Sequence, residues 1–232
     1  LSANEGNNNA RFALGYIYQI SDFVPKNTQK AIYYLTLAAN EFHVMSDLLL
    51  AMIYYYEKID INKAVYYYKE ASSFNNKRAK NNLAIIYKNG EGVPKNINIA
   101  IELLNEAISI NNDMYSLFNL ARIYYFGIDI EKDENKSIQL LEIASNLKYH
   151  QATLFLYLHY KFKKNIEMSK YLDILLKYSS KGNFIADIIS FIDIVPVDKI
   201  FKFLAEYDFI YYYTFHEDYY FCQFGEEMFS FY

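Results

Sequence analysis

The sequence predicts an all-α solenoid of paired helices, and three observations carry that prediction. The first is a ladder of tyrosines. Tyr18, Tyr54, Tyr87, Tyr124 and Tyr160 stand 36, 33, 37 and 36 residues apart, each closing a small-x-x-x-Leu-x-x-x-Tyr block. The second is a companion block downstream of each tyrosine, with small and apolar residues at helical spacing. The third is a turn between the two blocks, best written in Gly90-Glu91-Gly92-Val93-Pro94-Lys95-Asn96. A fixed period of this size marks a unit that cannot bury its own apolar face and must stack on its neighbours.

The first helix of each unit begins with a small residue four before the leucine: Ala10, Ser46, Ala79, Ser116 and Ala152. The leucines are Leu14, Leu50, Leu83, Leu120 and Leu156, followed by Gly15, Ala51, Ala84 and Ala121 but Tyr157 in the fifth unit. At about 100° per residue, the small, leucine and tyrosine slots share one helical face, which is the packing seam. The second helix is marked by Lys30-Ala31, Lys63-Ala64, Ala100, Lys136-Ser137 and Lys170-Tyr171. Counted from the Ala31-type slot, three residues on stand Tyr34, Tyr67, Leu103, Leu140 and Ile174; seven on stand Ala38, Ala71, Ala107, Ala144 and Tyr178. Those spacings again define one face. Between the helices, glycine permits positive φ and Pro94 blocks continuation of the first helix. Repeat one keeps Val24-Pro25-Lys26-Asn27, repeat four keeps Gly127, and repeats two and five shorten the turn.

Two copies carry the pattern most fully: Ala10-x-x-x-Leu14-Gly15-x-x-Tyr18 with Lys30-Ala31-x-x-Tyr34-x-x-x-Ala38-Ala39, and Ala79-x-x-x-Leu83-Ala84-x-x-Tyr87-x-x-Gly90-x-Gly92-Val93. This pattern resembles the Sel1-like repeat, a tetratricopeptide-related family of helix-turn-helix units. The resemblance implies a right-handed superhelical α-α solenoid of five to six repeats with a C-terminal cap. It also implies a scaffold or adaptor that binds a protein or peptide along its concave groove, without catalysis.

The register divides the chain. Residues 1–7 align with the end of a second helix, so the chain is expected to open within a preceding repeat. Five repeats are expected at 8–43, 44–75, 76–112, 113–149 and 150–182. A degenerate sixth is expected at 183–207, where Ser190 and Ile194 replace leucine and tyrosine. Residues 208–232 form an acidic, aromatic segment with Asp208, Glu217, Asp218, Glu226 and Glu227 and no Lys or Arg. Such a stretch is poorly suited to solvent. It is expected to cap the last repeat, fold back into the groove, or dock on a partner or a second copy.

Bulk properties exclude several classes. A net charge of −4 with 22% charged residues gives no general reason to expect nucleic acid or an anionic membrane as partner. The richness in tyrosine is what A+T-rich coding DNA would produce by itself. Cys222 is the single cysteine, which rules out an intrachain disulfide and a Cys-based zinc cluster; a reducing compartment is compatible, and localisation stays open. Residues 184–197 are apolar but too short to span a bilayer, and they contain Asp187 and Asp193.

Function is expected on the first-helix face opposite the seam, at offsets −5, −2, +2 and +5 from each leucine. The contact residues expected there are Phe12, Tyr16, Met52, Tyr55, Arg78, Lys88, Phe118, Arg122, Tyr125 and Lys161. Aromatic and thioether side chains beside Arg and Lys suit a peptide with apolar and acidic residues. The competing reading is that curvature buries these side chains against neighbouring helices. Catalytic and metal sites and cofactors are not expected. His43, His150, His159 and His216 are scattered, and no HExxH, P-loop or Gly-x-Ser-x-Gly motif occurs. Asn135-Lys136-Ser137 is a sequon that matters only in a secreted protein. The alternative function is a structural module of a larger assembly whose activity resides in another domain or chain.

Overall fold

The computed structural model describes residues 3, 6–20, 24–178 and 199–200. Ten helices and no strands occur among the described residues that precede position 179. They pair as α1 (Asn8–Ile20) with α2 (Thr28–Ala39), α3 (Val44–Tyr56) with α4 (Ile61–Ser73), and α5 (Lys77–Asn89) with α6 (Ile97–Ser109). The remaining pairs are α7 (Met114–Phe126) with α8 (Glu134–Asn146), and α9 (His150–Phe162) with α10 (Met168–Tyr178). The chain divides into two compact units between Asp113 and Met114, the first holding α1–α6 and the second α7–α10. The sixth repeat expected at 183–207, apart from residues 199–200, and the segment 208–232 lie outside the described residues.

Helix starts follow from short polar side chains placed one residue ahead. Asn27, Asp60, Asn76, Asn96 and Asp133 each accept a bond from a backbone N–H of the first turn, satisfying donors that have no intrahelical partner. His43 does the same for α3 through Ser46 N–H. The turn inside each pair has one recurring closure. The residue ahead of the second helix donates its N–H to the ladder tyrosine's carbonyl: Asn27 to Tyr18 at 2.8 Å, Asn96 to Tyr87 at 2.8 Å, and Asp133 to Tyr124 at 2.9 Å. In the shortened turns Ile59 donates to Tyr54 and Asn165 to Tyr160. The turn therefore varies in length while its closure stays fixed. Gly90 ends α5 at φ 78°, the left-handed conformation that glycine adopts without a Cβ penalty.

The seam is the core. Leu50, Leu83, Leu120 and Leu156 are buried, as are Ala51, Ala84 and Ala121 and the second-helix alanines Ala31, Ala38, Ala64, Ala71, Ala100, Ala107 and Ala144. Each buried leucine contributes about 1.5–3 kcal/mol, while the alanines set how closely backbones approach. Gly15 marks the tightest approach, because a Cβ there would stand 2.4 Å from Leu35 Cγ.

The tyrosine ladder also explains the recurring lysines. Tyr18 stacks on Tyr34 at 6.0 Å, Tyr54 on Tyr67 at 5.8 Å, and Tyr160 on Tyr171 at 5.5 Å. Lys30 lies over Tyr18, Lys63 over Tyr54, and Lys136 over Tyr124 at 4.0 Å. In repeats one, two and four the lysine ahead of the second-helix small residue thus covers the ladder ring of its own repeat, whereas Tyr87 is covered by Lys69 of the preceding repeat; each such contact is worth about 0.5–1 kcal/mol where exposed.

Candidate binding face

In the first unit, α1, α3 and α5 present the slots opposite the seam. Phe12 and Tyr16 are partly exposed, their rings 6.1 Å apart, and Phe12 lies 5.1 Å from the His43 ring. Tyr55, Arg78 and Lys88 are also partly exposed. Met52 is not: it is buried in the core cluster with Leu48, Leu49 and Ile53. The +5 slots join successive repeats. Gln19 Nε2 donates to Glu57 Oε1 at 3.1 Å, and the Tyr55 hydroxyl donates to Glu91 Oε2 at 2.7 Å. Lys26 pairs with the same Glu57 at 2.5 Å.

The first unit also holds polar groups in its interior. Asn82 Nδ2 donates to the Tyr68 hydroxyl at 3.2 Å, and Asn81 Nδ2 donates to Asn82 Oδ1 at 3.2 Å. All three residues are essentially inaccessible, and burial drives the Tyr68 hydroxyl pKa upward. Asp47, on the first turn of α3, is 5% exposed. Burial and, secondarily, the charge of Glu70 push its carboxyl up to about 7.

In the second unit the same slots lie deeper. Phe118, Arg122 and Tyr125 are buried, and Lys161 is partly exposed with its ammonium 5.5 Å from the Tyr157 ring. Standing opposite the leucine seam does not make these positions surface, because first helix stacks on first helix. Phe118 of α7 meets Phe155 of α9 edge-on at 6.0 Å, and Tyr125 meets Phe155 at 4.9 Å. Arg122 Nη1 donates to Asn119 Oδ1 at 3.3 Å.

Tyr125 leads to a polar node that the sequence did not reveal. Its hydroxyl lies 3.0 Å from His159 Nδ1, and His159 Nε2 lies 3.8 Å from Glu134 Oε1. Glu134 also pairs with Lys163 and, at 3.2 Å, with Lys132. Lys163 above all holds the Glu134 carboxyl below its ordinary pKa, whereas burial lowers His159 and raises Tyr125. The node therefore joins α7, α8 and α9 through side chains that no local spacing in the sequence links.

Among the described residues no group of three or more His, Cys, Asp or Glu side chains is placed to hold a metal ion. His216 and Cys222 lie outside the described residues. No helix among the described residues is long and apolar enough to cross a membrane. The sequon does not sit in an extended loop: Asn135 is on the first turn of α8, and Ser137 is buried.

Comparison with known proteins places the chain. The Sel1 repeat family profile matches residues 8–41, 45–73, 77–112 and 115–149, more than half of the sequence. A Sel1 repeat protein from Oxalobacter formigenes superposes with a TM-score of 0.68 at 19% identity, over 78% of this chain and 76% of that one. The antigen c5321, present in uropathogenic Escherichia coli strains and displaying an SLR fold, gives 0.64 at 24% identity over 79% of this chain; the match spans 40% of c5321. A sel1 repeat protein from Klebsiella pneumoniae subsp. pneumoniae gives 0.53 at 19% identity, over 88% and 96% of the two chains. No curated protein matches this chain significantly. At these identities the structural likenesses speak for the fold, and the profile speaks for membership. Sel1 repeats are generally protein-interaction scaffolds of a non-enzymatic type. With paired helices, the alanine seam and four matched repeats in hand, the chain belongs to the Sel1 repeat family.

Proposed function

We propose that this chain is a non-enzymatic scaffold that binds a protein or peptide segment across the first-helix face, with apolar and acidic side chains in the bound segment. The observation that carries the reading is the partly exposed set on α1, α3 and α5: Phe12 and Tyr16, then Tyr55, then Arg78 and Lys88. Aromatic surface precedes positive charge in chain order, so apolar anchors are met by the early helices and carboxylates by the later one. Met52 supports this face of the first unit from beneath, through packing. Within the second unit, Lys161 on α9 is the partly exposed cation of the corresponding slots, and Phe118, Arg122 and Tyr125 are buried. Residues 208–232, acidic and aromatic by sequence, have the chemistry such a face accepts.

Charge reversal at Arg78 and Lys88 tests the reading. The doubly substituted full chain should keep its helical circular dichroism and melting temperature and lose capture of a partner that the wild-type chain retains. Undiminished capture would remove the face from consideration. Supply of a rigid module to a larger assembly is the alternative, and it predicts that capture survives charge reversal on this face.

A further inference from the structure

The first turn of α3 is closed by a side chain that titrates near neutral pH. His43 Nδ1 accepts from the backbone N–H of Ser46 at 3.3 Å and stands 2.9 Å from the Ser46 hydroxyl. Its other nitrogen, Nε2, lies 3.3 Å from Asn9 Oδ1 of α1, and its ring is 5.1 Å from that of Phe12. One ring therefore caps the second repeat and holds the aromatic end of the first, where Phe12 and Tyr16 stand 6.1 Å apart. A neutral imidazole protonated on Nε2 satisfies all of these bonds together, donating to Asn9 and leaving Nδ1 to accept. The corresponding residue of α5 is Asn76, whose amide oxygen accepts from Ala79 N–H and does not titrate.

We propose that His43 is a proton-operated latch on the binding face of the first unit: neutral, it fastens the Phe12–Tyr16 end of α1 to the start of α3; protonated, it releases both, so acidification weakens recognition there. The proposal rests on the binding face described above and supplies its regulation. A proton on Nδ1 would point at the Ser46 N–H, donor against donor, and would set an imidazolium at the positive end of a helix. Rotation of the ring relieves both, and it withdraws the same ring from Asn9 and Phe12. The ionisable groups on the surrounding parts of α1, α2 and α3 do not reverse this. Arg11 on α1 is a second cation, bonded to Ala3 O, Asn8 Oδ1 and Leu37 O, and Tyr16 is uncharged in this range. Residues 36–39, which end α2, include no ionisable side chain, and Glu41 in the turn is exposed and screened by solvent. Asp47 on α3, its carboxyl raised to about 7, is itself protonated where His43 titrates. Burial lowers the His43 pKa from its ordinary 6.5. Stability from the latch is therefore fully present above that ordinary value and lost as pH falls through the lower folded one. An exposed pair with a carboxylate of the bound segment recovers less than the cap and the helix terminus lose.

Amide hydrogen exchange of the full chain, followed by NMR at pH 7.5 and pH 5.0 and corrected for the pH dependence of intrinsic exchange, tests this. Protection of the Ser46 amide and of the α1 amides around Phe12 should fall about tenfold at the lower pH, the combined effect of a lost cap and a cation at a helix N-terminus. His43→Asn, which caps as Asn76 does, should show no such fall. Comparing the two chains cancels the opposite contribution of Asp47, which both carry. An identical pH dependence in the two chains would overturn the proposal. So would a His43 imidazole that titrates at or above 6.5 in the wild-type chain, a reading that needs no variant. Failure here, with capture still lost on Arg78 and Lys88 reversal, removes the latch and leaves the face. A working latch with capture undiminished by that reversal removes the face, and with it the regulatory role of His43.

Discussion

Replacing Asp47 by asparagine should stabilise the first unit at pH 8 and change little at pH 4.5. Asp47 is 5% exposed on the first turn of α3, with Glu70 of α4 as the second cause of its shift. Its carboxyl is raised from 3.8 to about 7, so between those values the folded chain binds a proton that the unfolded chain has released. Stability from this group is fully present below the unfolded pKa and is lost as pH rises through the folded one. Three units at about 1.36 kcal/mol each give a ceiling near 4 kcal/mol. The asparagine forfeits about 0.5 kcal/mol of favourable charge at a helix N-terminus, and relaxation of the site reduces the remainder, leaving about 1–3 kcal/mol at pH 8. Urea denaturation followed by circular dichroism, on both chains at pH 4.5 and pH 8, measures the difference. A gap that is equal at the two pH values, or larger at pH 4.5, would refute the reasoning.

Three other substitutions probe the packing. Ser137 carries a buried hydroxyl with no hydrogen-bond partner where repeats one to three have alanine, so Ser137→Ala should raise stability by about 1 kcal/mol in thermal melts. Gly15→Ala copies the residue of repeats two to four, yet its Cβ would meet Leu35 Cγ at 2.4 Å; it should destabilise by about 1–3 kcal/mol despite better helix propensity. Tyr68→Phe removes the buried hydroxyl that accepts from Asn82 Nδ2 and should lower stability by about 1 kcal/mol in urea titrations.

The helix pairs were legible in the sequence because the seam repeats: leucine and small residues recur in slots that are buried from the second repeat onward, with Ala10 and Leu14 of the first repeat partly buried. The turn lengths differ between repeats, yet the closure on the tyrosine carbonyl was hidden, since backbone bonds leave no residue signature. The site was less legible. Helical angle alone separated seam from opposite face, but burial depends on the neighbouring repeat, and Phe118 became interior because Phe155 lies against it. Asp47 and the Tyr125–His159–Glu134 node were invisible for a related reason. Their partners come from other helices, outside any local spacing, and Glu134 alone reads as an ordinary acidic residue at a helix start.

Site-specific photo-crosslinking tests the scaffold reading most directly. A benzoylphenylalanine placed at Tyr16 or Tyr55 samples the first-helix face, whereas one at Tyr33 or Tyr66 samples second-helix positions that are 60% and 56% exposed. Irradiation of the full chain with its partner should yield adducts from positions 16 and 55 and none from 33 and 66. Adducts confined to 33 and 66 would contradict the account and move recognition to the second helices.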